Sequence, residues 1–472
     1  MTSTYVHELR AKLTAANLAE YGDKAGAIHW AAPATMAAAT TRRAELLQTA
    51  AAFLTQAAKQ TKPHFGELSP GCRVCASGQW SCLFINGRCN CRCFYCPTSQ
   101  DEISVPTTNR VPFATAADYA KYVRRFGFTG ASISGGEPLL TFERTIDYIE
   151  TVRRELGPQL HIWLYTNGTL ATRERLAALQ AAGLNEIRFD LSAVDYNLSK
   201  VEMAAGLIEC VTVEIPAIPE DADLLAALLP SMAAAGVKHL NLHQLRLTPH
   251  NLPHLTARDY SFLHGESVTV LESELTALQI LLTAGEKNIC LPVNYCSFVY
   301  KRRYQQAATR RRNAGDVLKG WESITENGFI RCLTLNAAPE ALAPMLLGLQ
   351  RQDPAKQRWA VNTNQDRLQF HESLWPFIDF NAGRLLITYA EAVLAPNISY
   401  RCAFKEVRLD SGKKIFIEKR PVRIDLPLAP AERPIFEARA LGLSSSDPSG
   451  ESPGLMEILS FELIAPGLQD YF

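Results

Sequence analysis

Between residues 82 and 245, short apolar runs alternate with stretches whose apolar residues recur every three or four positions. The runs are Cys82–Asn86, Ala131–Ser134, Ile162–Thr166, Ile187–Leu191, Val211–Ile215 and Leu240–Leu245, each of strand length. Between them Phe142, Ile146, Ile149 and Val152, then Leu176 and Leu179, then Leu224, Leu225, Leu228 and Met232 mark helix faces. Gly183 and Gly236 stand where a glycine ends a helix. Strand–helix alternation of this kind predicts an α/β fold of parallel βαβ units with right-handed crossovers. The six strands predict a partial (β/α)6 barrel, its functional loops at the strand C-terminal ends.

The flanks read differently. Residues 1–65 are Ala-rich and helical, with Val6, Leu9 and Leu13 on one apolar face. A Pro/Gly break at Pro63, Pro70 and Gly71 introduces a Cys-rich segment over 66–98, and 246–330 reads as a mostly helical covering segment. Residues 331–472 predict an α+β domain: a strand at Ile330–Leu335, a helix around Ala338–Leu347, a strand at Arg358–Val361 and a hairpin over Phe404–Ile424. The hairpin turn is assigned to Asp410, Ser411 and Gly412, and Ser444–Pro453 reads as a linker.

Charge changes this picture little. With 48 basic and 48 acidic side chains there is no global field to attract nucleic acid or an anionic membrane. No secretory signal opens the chain and no stretch suits a bilayer, so a cytoplasmic protein is expected.

The cysteines change it most. Seven of the twelve, at 72, 75, 82, 89, 91, 93 and 96, fall within 25 residues. In a large chain without a signal, metal binding is the better reading of such density than disulfides. Cys89, Cys93 and Cys96 are spaced CxxxCxxC, which suits three corners of an iron–sulfur cube with the fourth iron open; a zinc site is the alternative. The loop follows the first predicted strand, where a barrel places its chemistry. Gly135, Gly136, Glu137 and Pro138 end the second strand, offering close backbone approach and a carboxylate for an ammonium group.

CxxxCxxC with an aromatic residue before its last cysteine, GGEP after strand two, and the partial barrel together resemble the radical S-adenosylmethionine (SAM) superfamily over about 82–245. The stretch 71–100 resembles a branch near glycyl-radical activases and the methanogenesis-marker methyltransferases. The resemblance implies a 4Fe–4S cluster on Cys89, Cys93 and Cys96 that reductively cleaves SAM to a 5′-deoxyadenosyl radical, which abstracts hydrogen from a substrate. It also implies an external one-electron donor of flavodoxin or ferredoxin type. Tyr95 would present its backbone to adenine, and Gly135, Gly136 and Glu137 would bind the methionyl amine. Thr166, Asn167, Asp190 and Ser192 would face ribose or carboxylate, and Ile218 would lie beside adenine.

Cys72 and Cys75, with Cys82 and Cys91 nearby, are candidates for a second iron or zinc site; Cys91, at the wrong spacing for the cluster, is expected to point away from it. Cys82 also suits a small buried hydrophobe. Tyr295 and Cys296 are candidate hydrogen-atom donors, against ordinary packing. Lys301–Arg312 could take an anion, though charge runs more often solvate a face, and Asn241, His243 and Gln244 are candidate substrate contacts. Cobalamin has no motif in its support. The rivals are a cobalamin-dependent methyltransferase and a non-catalytic zinc-stabilised binding protein.

Overall fold

The predicted strands pair as parallel neighbours because each is apolar enough to be covered on both faces. The structure, a computed structural model, describes residues 4–409, 412–443 and 452–472, and its chain forms two compact units. The larger unit is built on Leu9–Gln305 and the smaller on Gln306–Arg408 and Lys414–Ala465.

In the larger unit the strands are β1 (Leu54–Gln56), β2 (Lys62–Phe65), β3 (Trp80–Asn86), β4 (Gly130–Gly135), β5 (His161–Thr166), β6 (Glu186–Phe189), β7 (Cys210–Pro216), β8 (His239–His243) and β9 (Val293–Cys296). Their order is β1-β2-β9-β8-β7-β6-β5-β4-β3, with two short strands, Thr107–Thr108 and Val111–Pro112, beyond β3. From β3 to β9 every neighbouring pair is parallel; β2 closes on β9 antiparallel. The parallel run therefore has one strand more than the sequence pattern predicts. Strand β9 (VNYC) escapes the pattern because only Val293 and Tyr295 are large and apolar, and β2 (KPHF) because its inward residue is a lysine.

The helices are α1 (Thr4–Tyr21), α2 (Pro33–Thr49), α3 (Pro70–Ala76), α4 (Ala116–Arg125), α5 (Phe142–Leu156), α6 (Arg173–Ala181), α7 (Ser199–Ala204), α8 (Ala222–Ala234) and α9 (Leu271–Glu286). Gly183 and Gly236, at φ +96° and +90°, lie just past the ends of α6 and α8, in the backbone region that favours glycine. Helix α3 matters most for the site. Ser69 caps it, its hydroxyl accepting from Cys72 N at 3.2 Å, and the Gly71 N–H donates to Glu186 Oε2 at 2.9 Å. A Cβ on Gly71 would meet Arg188 Nη2 at 2.3 Å and Glu186 Oε2 at 2.8 Å, so glycine lets α3 seat against β6 without displacing that buried pair.

The smaller unit is a wholly antiparallel sheet. Strands β10 (Glu322–Ile324), β11 (Ile330–Ala337), β12 (Trp359–Val361), β13 (Arg367–Phe370), β14 (Gly383–Ala395), β15 (Ala403–Arg408) and β16 (Lys414–Pro427) run in the order β12-β13-β11-β14-β16-β15, with β10 on β11. Helices α10 (Pro339–Gln352) and α11 (Pro453–Glu462) accompany it, with further helices at Gln306–Ala314 and Arg433–Phe436. Its core gathers Leu333, Leu335, Leu349, Trp359, Phe370 and Trp375. Strands β11 and β12, helix α10 and the β15–β16 hairpin lie where the sequence puts them. Asp410, Ser411 and most of the linker, 444–451, fall outside the described residues.

Candidate active site

A strand that ends at a parallel sheet's C-terminal edge delivers its next residues to one mouth, and here seven such ends converge. The cavity there holds about 490 Å³. Its walls include Cys89, Cys91, Cys93 and Cys96 from the loop after β3, Gly135, Gly136 and Glu137 after β4, and Thr166 and Asn167 after β5. Asp190 from β6, Glu214 and Pro216 from β7, His243 and Arg246 from β8, and Phe298 and Lys301 after β9 complete it.

The thiol loop is held by hydrogen bonds. Cys89 N donates to Gln100 O at 3.1 Å and Cys91 N to Cys89 Sγ at 3.4 Å, while Asn167 Nδ2 lies 3.6 Å from the same sulfur. From the far side, Asn251 Nδ2 donates to Tyr95 O at 3.1 Å and Thr248 Oγ1 to Pro97 O at 2.9 Å. Neither Asn251 nor Thr248 is visible as a site residue in the sequence, since both act on backbone carbonyls. The glycines at the end of β4 line the cavity and also have a packing role. A Cβ on Gly135 would meet Asn86 O at 2.2 Å and one on Gly136 would meet Arg88 O at 2.0 Å, so they let β4 press against the root of the thiol loop.

Glu137 fastens two strand ends. Its Oε1 accepts from Leu139 N at 2.9 Å and Thr166 Oγ1 at 2.8 Å, and its Oε2 from Asn167 N at 2.8 Å. Burial outweighs those donors and pushes its carboxyl above the usual range. Asp190 is likewise raised by burial, and with Ser192 it engages the Tyr95 hydroxyl, at 2.9 and 2.7 Å. Ser192 and Ile218 line a neighbouring cavity of about 520 Å³ beyond Tyr95, whereas Pro138 is buried and lines neither.

Three expectations need correction. Cys91 does not point away: it lines the cavity with the triad. Tyr295 faces outward, fully buried, its hydroxyl on Glu274 Oε2 of α9 at 3.0 Å, because alternation along β9 turns it from the interior that Cys296 faces. The set Cys72, Cys75, Cys82 and Cys91 is not gathered: Cys72 and Cys75 are on α3, Cys82 bonds to Ser132, and Cys91 is on the cavity wall.

Below the cavity lies a charged floor. Arg188 bonds Glu186 Oε1 at 2.8 Å and Glu214 Oε2 at 2.5 Å, and His243 Nε2 lies 2.5 Å from Glu214 Oε1. Lys301 Nζ is 2.9 Å from His243 Nδ1. An ammonium can only donate, so Nδ1 accepts and Nε2–H points at Glu214. Burial alone would raise Glu214; Arg188 and His243 outweigh it and hold the carboxyl well below its usual range. Fully buried Lys62 lies within electrostatic reach of Cys296, Cys72 and Cys75. Against burial, Lys62, Lys301 and His243 bring the Cys296 thiol down to about 6, whereas burial carries Cys75 up to about 12. Cys296 does not line the cavity; it meets it only through His243.

Three loop thiols facing one cavity suit an iron–sulfur cube. Among the described residues no three His, Cys, Asp or Glu side chains converge as they would on a single ion. A cube bound through three separate irons spaces its thiolates more widely than that.

The comparisons agree with this geometry. The radical SAM superfamily model matches residues 83–212. A Methanocaldococcus jannaschii protein provisionally named a glycyl-radical enzyme activating enzyme is 30% identical over 284 residues, 58% of this chain and 74% of that one. The chain belongs to the radical SAM superfamily. It is an enzyme of that superfamily, and among the described residues no helix is long and apolar enough to cross a membrane. A GTP 3′,8-cyclase of Corynebacterium glutamicum is 27% identical over 155 residues, and the chain spans only 41% of its length. Among solved structures, the radical SAM methyltransferase TsrM of Kitasatospora setae is 17% identical over 38% of each chain at a TM-score of 0.29, too slight to carry argument.

Proposed function

We propose that the parallel strands close as a partial barrel around α3, and that the cavity at their C-terminal ends is the chamber in which SAM is cleaved to start a hydrogen abstraction. The observation that carries the reading is the convergence of Cys89, Cys93 and Cys96 with Gly135, Gly136, Asn167 and Asp190 on one cavity wall. A 4Fe–4S cluster on those thiolates would supply the electron that breaks the sulfonium C–S bond, giving methionine and a 5′-deoxyadenosyl radical. The chain's own residues do the rest. Asn167 and the Cys91 N–H steady the Cys89 sulfur with weak N–H···S contacts. Asp190 and Ser192 fix the Tyr95 ring, and Asn251 fixes its carbonyl, so the cofactor meets a rigid edge. Glu137 and Asp190 already accept from protein donors, so these two carboxylates are held in place without water. An external one-electron donor of flavodoxin or ferredoxin type and a substrate bearing an abstractable hydrogen complete the scheme.

The test is anaerobic reconstitution with iron and sulfide, then reduction in the presence of SAM. About four irons and four sulfides per chain and time-dependent 5′-deoxyadenosine are expected. Iron-free protein carrying full zinc would overturn the reading.

A further inference from the structure

Each carboxylate on the chamber wall has partners among the chain's own donors. Glu137 has Thr166 and the amides of Leu139 and Asn167; Asp190 has Tyr95 and Ser192; Glu214 has Arg188, His243 and Asn241. The cations of the same wall are not so placed. The guanidinium of Arg246, which follows β8, makes no hydrogen bond or ion pair to any described residue, its buried Nε included, although the Arg246 carbonyl accepts from Asn251. Its guanidinium rests 5.9 Å from the centroid of the Phe298 ring, and Lys301 Nζ rests 4.8 Å from the same centroid. Lys301 spends one N–H on His243 and keeps two. Two fixed cations thus share one aromatic platform inside a cavity of about 490 Å³, with seven N–H donors between them awaiting an acceptor.

We propose that Arg246 and Lys301 form a subsite for an oxyanion of the substrate, a carboxylate or a phosphate, seated over Phe298. A planar guanidinium presents paired donors that match the two oxygens of such a group, and the ammonium adds a mobile third. Leaving a guanidinium unpaired in a partly buried cavity is costly, so the subsite is completed by its ligand rather than by the fold. The inference rests on the reading of this cavity as the reaction chamber, and it narrows the substrate to molecules or side chains with an anionic head near the abstracted hydrogen.

The experiment uses the full chain, both reconstituted with cluster and SAM and in unloaded form. The rate at which p-hydroxyphenylglyoxal modifies Arg246, read by peptide mass spectrometry, is measured with malonate, methyl phosphate or neutral malonamide as the probe. One of the two anions is expected to slow modification roughly tenfold while malonamide does not, and Lys301→Gln is expected to weaken that protection. Protection by malonate alone assigns a carboxylate, and by methyl phosphate alone a phosphate. An Arg246 rate unmoved by both anions overturns the inference, as does full protection by SAM alone, which would make the pair the cofactor's own subsite. Failure of the chamber reading is seen separately, as absent iron and absent 5′-deoxyadenosine.

Discussion

Cys89, Cys93 and Cys96 sit half-buried on one loop, facing a cavity, with their backbone pinned by Gln100, Asn251 and Thr248. Buried Cys72 and Cys296 and half-buried Cys75 lie under that cavity around Lys62, with Arg188 and its carboxylates beside them. Both sets are three thiols in one unit. What separates them is access: the loop set opens onto space for a cofactor, while the floor set opens onto side chains. Clustering of cysteines in sequence therefore says less about their chemistry than the surface they face.

The sharpest way to break this comparison is to exchange one thiol from each set. Cys93→Ser is expected to abolish cluster loading, whereas Cys75→Ser should leave about four irons and four sulfides. Selective loss of a fifth iron in Cys75→Ser would instead give the floor a metal of its own. Next in size is the floor's charge. Arg188→Met strands Glu186 and Glu214, both buried, and should lower unfolding free energy by about 3–5 kcal/mol in denaturant titration.

The same pair sets a pH dependence. Burial would raise Glu186, but Arg188, His161 and the Gly71 N–H hold it down to about 2. Its unfolded value is roughly 4.3, so its contribution, about 2–3 kcal/mol, is complete above that pH and is lost as pH falls through about 2. Glu186→Gln should remove that slope from stability measured between those limits. On the loop side Gly136→Ala pushes a Cβ into the Arg88 carbonyl; a cost of about 1–3 kcal/mol and weaker iron retention are expected from melting and iron analysis.

Much of this was legible beforehand. The six strands announced themselves by short runs rich in apolar residues, and the triad by spacing that suits a shared ligand. Strand β9 was not, because four residues with only two large apolar side chains are too short a run to read. Cys91 was misjudged because residue spacing fixes backbone reach, not the direction of a thiol on an irregular loop. Arg246 carries no sequence signal beyond one arginine after a strand; its meaning comes from the absence of an acceptor among the described residues, which three-dimensional placement reveals. Strand β14, the centre of the smaller unit, passed unmarked, its apolar run being interrupted by Arg384, Thr388 and Glu391.

The central claim is that the loop thiols, and no others, hold the cluster that SAM meets in the cavity. Electron paramagnetic resonance of the reduced, reconstituted protein with and without SAM tests it directly. A reduced-cluster signal that changes on adding SAM, persists in Cys75→Ser and vanishes in Cys96→Ser is the predicted result. A signal indifferent to SAM, or one that survives Cys96→Ser, would contradict it.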